Sequence, residues 1–304
     1  MSISQALEVV IGLIFIYYVL GSIVSLITQW INEALETRGN SLERHLEKIV
    51  GDKHVGDFVK LPQLQALRPI RYKNWFSFLN SATEPKKLEK IPAATLVDSY
   101  FDFVGLTASK EFELDELKEL INAFPESEGK QAVLKWVGQG VTKVEDLRKR
   151  TLTYFTGVMD QAAATFKSNA RSFVIIFSIL LTILLGTDSI KMAQALWDNA
   201  GLRAIAMAKA EVVAQQGGET SDIDTLFKDL GELNVINIGW FLTERPEAPA
   251  DAAAWAWFVT MKILGLGLTV AAVSQGSSFW YDLLKKIVTP SKGGGGGGGD
   301  EAKG

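Results

Sequence analysis

The chain has 304 residues, 47% of them hydrophobic and 22% charged, with 31 Lys and Arg against 35 Asp and Glu and a formal net charge of -4. The absence of cysteine excludes disulfides, thiolate metal sites and a cysteine nucleophile, and the slight negative charge argues against a nucleic-acid-binding protein. The mean hydropathy is nevertheless positive, at +0.14. Because so many charges are present, the apolar residues must be bunched along the chain, which is typical of a membrane protein.

The first apolar run predicts a transmembrane helix over residues 9–31. No charged residue lies between Val9 and Asn32. At about 1.5 Å per residue this run reaches about 34 Å, which exceeds a hydrocarbon core of about 30 Å. A cleaved signal peptide is the alternative. It is disfavoured because residues 1–8 contain no Lys or Arg and because no small-residue cleavage site follows the run.

Residues 32–171 are predicted to form a mostly helical domain. Its first helix is amphipathic and has Ser41 as a plausible N-cap. The prolines that recur from Leu61 to Pro92 favour loops and short turns over that stretch. Apolar residues three and four apart return beyond it, and no run alternates long enough to demand a strand.

A single long helix is predicted over residues 144–171, continuing into the second apolar run. No proline lies between Val144 and Leu185, and apolar side chains recur at heptad spacing before the run. These seam residues are Leu152, Phe155, Met159, Ala162 and Phe166. Such a seam can join subunits, but a seam of two heptads packs more often on its own domain, which is the favoured interpretation.

Two further apolar runs predict transmembrane helices over residues 172–190 and 252–274. The segment 191–251 between them is predicted to be helical. Within it, the pattern of 191–216 predicts one amphipathic helix, and a shorter helix follows a Gly-rich turn.

Beyond the third run, residues 275–290 predict an amphipathic end that is rich in aromatic side chains. The Gly-rich tail 291–304 is expected to be disordered, because its composition cannot build a packed core.

Basic residues set the predicted orientation, because Lys and Arg are retained on the cytoplasmic side of a membrane span. Clusters of them flank the inner ends of all three runs. They are Arg38, Arg44, Lys48, Arg148, Lys149, Arg150, Lys167, Arg171, Lys285 and Lys286. The predicted arrangement has residues 1–8 outside, 32–171 in the cytoplasm, 191–251 in the periplasm and the C-terminus in the cytoplasm.

Asp188 and Lys262 are predicted to form an ion pair within the membrane. Each is the one charged residue of its run, and the rise of a helix brings both to nearly the same depth. An unpaired charge in hydrocarbon is costly. A helix clamp is the favoured meaning of the pair, and a gate or ion path is the alternative. Lys262 could instead extend its stem to the interface without a partner.

Small residues four apart predict close packing of helix backbones, either within one chain or between subunits. The pairs are Gly21 with Ser25 in the first run and Gly267 with Ala271 in the third. The hydroxyl and amide side chains of the first run could also line a wet path, but hydrogen bonds between helices are the favoured interpretation.

Enzyme signatures are absent from the sequence. It lacks the motifs G-x-x-x-x-G-K-[ST], H-E-x-x-H and G-x-S-x-G, and its two histidines, His45 and His54, have no acidic pattern suited to zinc. We therefore predict no catalytic residue, no metal site and no cofactor.

Three stretches, within 7–43, 154–203 and 236–284, resemble a family of uncharacterised bacterial multi-pass inner-membrane proteins. The most specific feature is a Gly-x-x-Phe-Trp-x-Asp-Leu-Leu motif near the C-terminus. The matching positions are Asn32, Glu33, Asp160, Gly276, Phe279, Trp280 and Asp282. The family has a proline where this chain has Ser278, so the local turn is expected to differ. The resemblance implies a bacterial inner-membrane protein in which Asp188, Lys262 and Asp282 are important.

These features predict an all-α membrane protein with three transmembrane helices, a mostly helical cytoplasmic domain and a small helical outer segment. The leading hypothesis is a non-catalytic protein of the bacterial inner membrane that anchors or assembles partners through its cytoplasmic domain. Its expected partners are the lipid bilayer and, on the cytoplasmic side, a second copy or another protein; nucleic acid is not expected. The alternative is an oligomeric pore or signal-transducing channel.

Overall fold

A computed structural model describes residues 3–72, 83–106, 112–216, 222–238, 240–245 and 251–288. Helices dominate these residues, which confirms the predicted all-α class. The exception is a small antiparallel pair of strands, β1 (Ile70–Tyr72) and β2 (Thr83–Pro85). The Gly-rich tail 291–304 and most of the predicted turn before Ile223 lie outside the described residues.

Helices make up most of the described part of the chain. In chain order they are α1 (Ile3–Ala34), α2 (Thr37–Val50), α3 (Val55–Phe58), α4 (Pro62–Gln65), α5 (Ala93–Phe103), α6 (Leu114–Asn122), α7 (Glu128–Gly138), α8 (Val144–Leu185), α9 (Ser189–Asp198), α10 (Ala200–Gln216), α11 (Ile223–Glu232), α12 (Trp240–Thr243), α13 (Ala252–Val273) and α14 (Ser277–Val288), with a 3-10 turn at Asp52–His54.

Three of these helices, α1, α8 and α13, are long and apolar enough to cross a membrane. They coincide with the three predicted runs. Helix α8 is continuous over 42 residues, as the lack of proline predicted. The chain divides into two compact units: unit 1 comprises Met1–Trp30 and Arg171–Gly304, and unit 2 comprises Ile31–Ala170.

The second predicted span is wrong at its outer end, because helix α8 stops at Leu185 and not at residue 190. Gly186 adopts φ +63°, a left-handed conformation that glycine tolerates best. The amide of Thr187 then donates to the carbonyl oxygen of Thr182 at 3.2 Å, which is the Schellman bond of a helix C-terminus. A new helix, α9, starts at Ser189.

The predicted single helix over residues 191–216 is also interrupted. Asn199 is extended, with φ -112° and ψ 102°. Its side-chain oxygen accepts the amide of Leu202 at 3.0 Å, so Asn199 caps the start of helix α10. Helix α9 therefore ends at Asp198, and α10 begins as a separate element.

Unit 2 has a hydrophobic core of its own, made by α2 to α7 and the first half of α8. The heptad seam packs into this core at Phe155, whose ring lies 5.3 Å from that of Tyr100. This agrees with the favoured interpretation of the seam. Ser41 does not cap α2: the helix begins four residues earlier, at Thr37, because Glu36 makes a left-handed turn (φ 46°) directly after α1.

Unit 1 is built around helix α1. Residues 11–24 of α1 are buried except at Leu13 and Tyr17, which are half-buried. Helices α9 and α10 cover the N-terminal half, since a side chain at Gly12 would touch Leu196 and Ala206.

The start of α14 covers α1 further along. The amide nitrogen of Ser277 lies 3.1 Å from the position that a Cβ at Gly21 would occupy. Gly21 therefore permits close packing, as predicted, and its partner Ser25 is half-buried.

Helices α10 and α14 pack against each other. This is inconsistent with the predicted separation of residues 191–251 and 275–290 by the bilayer, because two helices in contact cannot lie wholly on opposite sides of it. Hydropathy and charge could not reveal this contact, since each segment is amphipathic on its own.

We predict opposite effects of alanine at two glycines of unit 2. In Gly129→Ala the new methyl group would meet the backbone carbonyl of Ile49, so we expect a loss of roughly 1–3 kcal/mol from overpacking. In Gly157→Ala the methyl group meets no atom, so higher helix propensity should stabilise α8 by up to about 1 kcal/mol. Thermal unfolding in mild detergent, followed by circular dichroism, measures both. Equal shifts in the two variants would contradict the packing of α7 on α2.

Candidate functional site

A cluster of four charged side chains lies beside the break between α8 and α9, within unit 1. Lys262 Nζ is 3.2 Å from Asp188 Oδ2 and also pairs with Glu244. Lys191 Nζ lies 2.6 Å from Glu244 Oε2. The contact that the sequence predicted between Asp188 and Lys262 is therefore present, and Glu244 and Lys191 extend it to a balanced set of two cations and two anions.

Asp188 has two roles in this cluster. Its Oδ1 accepts the amides of Ile190 and Lys191, at 3.0 and 3.2 Å, and so caps helix α9. Its Oδ2 faces Lys262. The side chain is only 4% exposed. The sequence Gly-Thr-Asp-Ser at 186–189 carries both signals of this break, a C-terminal glycine and an N-cap aspartate.

Gly265 makes room for Asp188. A Cβ at Gly265 would occupy the position of the Asp188 carboxylate, so only glycine allows helix α13 to approach the start of α9 this closely. Within the described residues of this one chain, Gly267 and Ala271 do not pack against another helix, so their predicted packing role stays a prediction for contacts between subunits. Both are exposed, and a Cβ at Gly267 would meet no atom, because the packed face of α13 runs through Gly265 and Thr269 instead.

Glu244 was not predicted from the sequence. It follows α12 and is held by three partners: Lys191, Lys262 and the side-chain amide of Asn237. Burial opposes ionisation of this carboxyl, but the hydrogen bonds and charges of the two lysines outweigh that effect and lower its pKa. Nothing in the polar connection before α13 distinguishes this acid from its neighbours, so only the tertiary contacts reveal it.

Trp240 closes the cluster next to the end of α8. Lys262 Nζ lies 5.2 Å from the centre of its ring, within the range of a cation–π interaction. The indole nitrogen donates to the carbonyl of Ile183 at 2.9 Å, and the amide of Asn237 donates to that of Leu185 at 2.7 Å. These bonds satisfy helix-end carbonyls that α8 itself cannot pair.

Hydroxyl groups connect the same break to helix α1. Tyr17 donates to Ser189 Oγ at 2.7 Å, and Ser189 Oγ lies 2.8 Å from Thr269 Oγ1. The amide of Ser189 donates to Thr269 Oγ1 at 3.0 Å, and Thr269 bonds back to the carbonyl of Gly265 at 3.0 Å. Helices α1, α9 and α13 therefore meet at one polar point.

Two cavities border the charged cluster, of about 120 and 230 Å³. Asp188, Lys191 and Glu244 line both, and Trp257, Phe258 and Met261 add apolar walls to the larger one. The charged groups that line these cavities are already paired with one another. Each of the four charged groups has a partner of opposite charge. The cluster can therefore hold helices together through ion pairs.

The residues that carry the family resemblance are dispersed over both units. In unit 2, the Asn32 side-chain oxygen accepts the hydroxyl of Thr37 at 2.8 Å, which closes the turn between α1 and α2. Glu33 and Asp160 are exposed. Asp160 borders a cavity of about 270 Å³ that Arg38 and Phe166 also line.

The C-terminal motif has a structural explanation for two of its four matched residues. Gly276 adopts φ +85° and turns the chain from α13 into α14. The indole of Trp280 donates to the carbonyl of Ala272 at 2.7 Å, and the Trp280 and Tyr17 ring centres lie 4.9 Å apart with the rings tilted by 45°. Phe279 and Asp282 are exposed, and the structure does not explain why they would be required.

Comparison with known proteins found no matching family model, curated protein or solved structure. The family resemblance therefore stays a prediction. Within the residues that the structure describes, no group of three or more His, Cys, Asp or Glu side chains could hold a metal ion.

We predict that Gly265→Ala and Gly267→Ala differ sharply. The methyl group at 265 would displace Asp188 from Lys262, and breaking a buried ion pair should cost about 3 kcal/mol or more. At 267 the methyl group points into open space, so stability should be unchanged or higher by up to about 1 kcal/mol. The midpoint of thermal unfolding in detergent distinguishes them. Equal destabilisation would argue that α13 packs through Gly267 after all.

We also predict a pH-dependent effect of Glu244→Gln. A lowered pKa means that ionised Glu244 stabilises the fold above the ordinary carboxyl pKa of about 4.5, and that this contribution is lost as the pH falls through the folded-state pKa. The variant should therefore unfold at a lower temperature than the parent chain at neutral pH, and the gap should narrow in acid. Glu211→Gln, at an exposed position of α10, is the matched control and should show no such gap. A Glu244→Gln gap that is constant with pH would exclude the ionic role.

Proposed function

We propose that this protein is a non-catalytic integral membrane protein that anchors or assembles partners through unit 2. We place it in the bacterial inner membrane, with residues 1–8 outside and 32–171 in the cytoplasm. The observation that carries this proposal is the contrast between the two units: three apolar helices converge on unit 1, whereas unit 2 is a helical body with its own core.

The charged cluster supports a holding role. Its two lysines and two carboxylates sum to zero charge, and Lys262 is only 6% exposed. An ion path or catalytic acid needs a group that can exchange its partner with water or substrate. Here Asp188 is engaged by Lys262 and by two backbone amides, and Glu244 by two lysines and Asn237. We therefore assign the cluster to clamping α9 and α13 together.

The proposed orientation has partial support in unit 1. Gln5 donates to the carbonyl of Trp197 at 3.1 Å, and Glu8 pairs with Arg203 at 3.4 Å. The N-terminal residues and the α9–α10 corner thus lie together, which agrees with a common side of the membrane for both. Helix α14 also contacts α10, so the proposed orientation does not extend to the C-terminal helix.

A pore or signal-transducing channel is the second candidate, and one observation favours it. The second apolar run is broken at Gly186–Asp188, and the charged cluster lies beside this break. Broken helices with buried charges are a recurring feature of transport sites. Against this, the three candidate spans of one chain are few for a private channel, so a pore would require several copies.

Membrane extraction and conductance decide between these functions. We expect the full chain to remain in vesicles after an alkaline carbonate wash. We also expect no conductance in planar bilayers. A conductance that is altered in Lys262→Met would favour the pore over the anchor. Release of the chain from vesicles by carbonate would contradict both functions.

Partner capture tests the scaffold role. Asp160→Arg changes the charge at the cavity edge of unit 2, and Asp282→Arg makes the same change at an exposed position of unit 1. A partner of unit 2 should copurify with the parent chain and with Asp282→Arg in mild detergent, and less with Asp160→Arg. Equal capture by all three chains would argue that unit 2 does not recruit through this face.

A further inference from the structure

The three apolar helices of unit 1 differ strongly in exposure. In its most apolar stretch, α1 is 67% buried, whereas α8 and α13 are each 22% buried. The helix with the highest hydropathy is therefore the one that the protein itself covers. The two less apolar helices leave most of their side chains uncovered within the described residues.

The exposed surface of α13 carries no charge. Trp257, Ile263 and Leu268 are 67%, 66% and 55% exposed, and the one charged residue of the helix, Lys262, is turned into the buried cluster. The exposed hydroxyl of Thr260 bonds to the carbonyl of Ala256 at 2.7 Å, within the helix. Hydrocarbon cannot hydrogen-bond to an exposed hydroxyl, so this bond within the helix makes the surface compatible with acyl chains.

The part of α8 that belongs to unit 1 has the same character. No charge lies between Ser172 and Gly186. Aliphatic side chains such as Leu180 and Leu184 are exposed, and Ser178 bonds to the carbonyl of Val174 at 2.7 Å. This surface, too, exposes apolar side chains, whereas Ser178 and Thr182 are buried and do not belong to it.

The helices that cover α1 differ from α13 in exposing charged side chains. Helix α14 exposes Asp282 and Lys286, and α10 exposes Glu211 beside the apolar Ile205 and Val212. A charged side chain that faces lipid is strongly unfavourable. The surfaces around Glu211, Asp282 and Lys286 are therefore not suited to acyl chains.

We infer that acyl chains of the bilayer contact unit 1 along α13 and residues 172–185 of α8, and that α1 is shielded from lipid by α9, α10 and α14. The 22 residues of α13 rise about 33 Å, which matches a hydrocarbon core of about 30 Å. This inference rests on the proposed membrane location but goes beyond it, because hydropathy alone would assign the greatest lipid contact to α1.

The absence of native cysteine makes the test direct. Single cysteines replace Leu264 and Leu180 on the inferred lipid side, and Glu211 and Lys286 on the covering helices. Each variant of the full chain is spin-labelled and reconstituted into phosphatidylcholine–phosphatidylglycerol vesicles. Electron paramagnetic resonance then measures collisions with oxygen, which concentrates in hydrocarbon, and with a water-soluble nickel chelate. Thermal unfolding of each labelled chain verifies that it is folded.

We expect labels at 264 and 180 to have an oxygen-to-nickel collision ratio several-fold higher than labels at 211 and 286. The reverse order would overturn the inference while leaving the membrane location intact. A label at 264 that neither reagent reaches would show that protein covers α13, which also overturns it. Nickel access at all four positions would remove both the inference and the proposed membrane location.

Discussion

The pairing of Asp188 with Lys262 is the constraint that organises unit 1. Removing two such ions from water costs several kcal/mol each, and their mutual attraction repays this only with good geometry and further hydrogen bonds. The surroundings supply both. Two backbone amides saturate Asp188, and Glu244 and the ring of Trp240 complete the environment of Lys262. The pair is therefore a stable clamp as long as all of these groups are in place.

This requirement explains the residues that surround the pair. Asp188 can cap α9 only if α8 has already ended, which Gly186 achieves with its left-handed backbone. Helix α13 can bring Lys262 to the carboxylate only because Gly265 has no side chain. Two glycines that are far apart in the sequence thus serve one contact, which fixes the end of α8, the start of α9 and the middle of α13 relative to one another.

The same ion pair leaves the exposed side of α13 without a charge. Once Lys262 is neutralised within the protein, no charge of this helix faces outward. If α13 crosses a membrane as proposed, the ion pair removes from its surface the one side chain of this helix that hydrocarbon would exclude. Helix α1 needs no such ion pair, because no charged residue lies between Val9 and Asn32.

The sequence by itself determined the elements whose causes are local. Apolar runs of sufficient length identified α1, α8 and α13, and the lack of proline from 144 to 185 predicted one unbroken helix. It also identified Asp188 and Lys262, because isolated charges in apolar runs need partners. The break at Gly186–Asp188 is also encoded locally, by a C-terminal glycine and an N-cap aspartate. The prediction followed the length of the apolar run and therefore placed the helix end too late.

Only the tertiary structure decided which surfaces those elements use. Glu244 joins the cluster from a polar connection without any pattern, and Gly265, rather than Gly267, faces the partner helix because helix rotation depends on what it packs against. The contact between α10 and α14, and the burial of the most apolar helix, follow from packing among segments distant in the chain. Hydropathy measures the preference of each residue for an apolar environment, but it does not say whether lipid or protein supplies that environment.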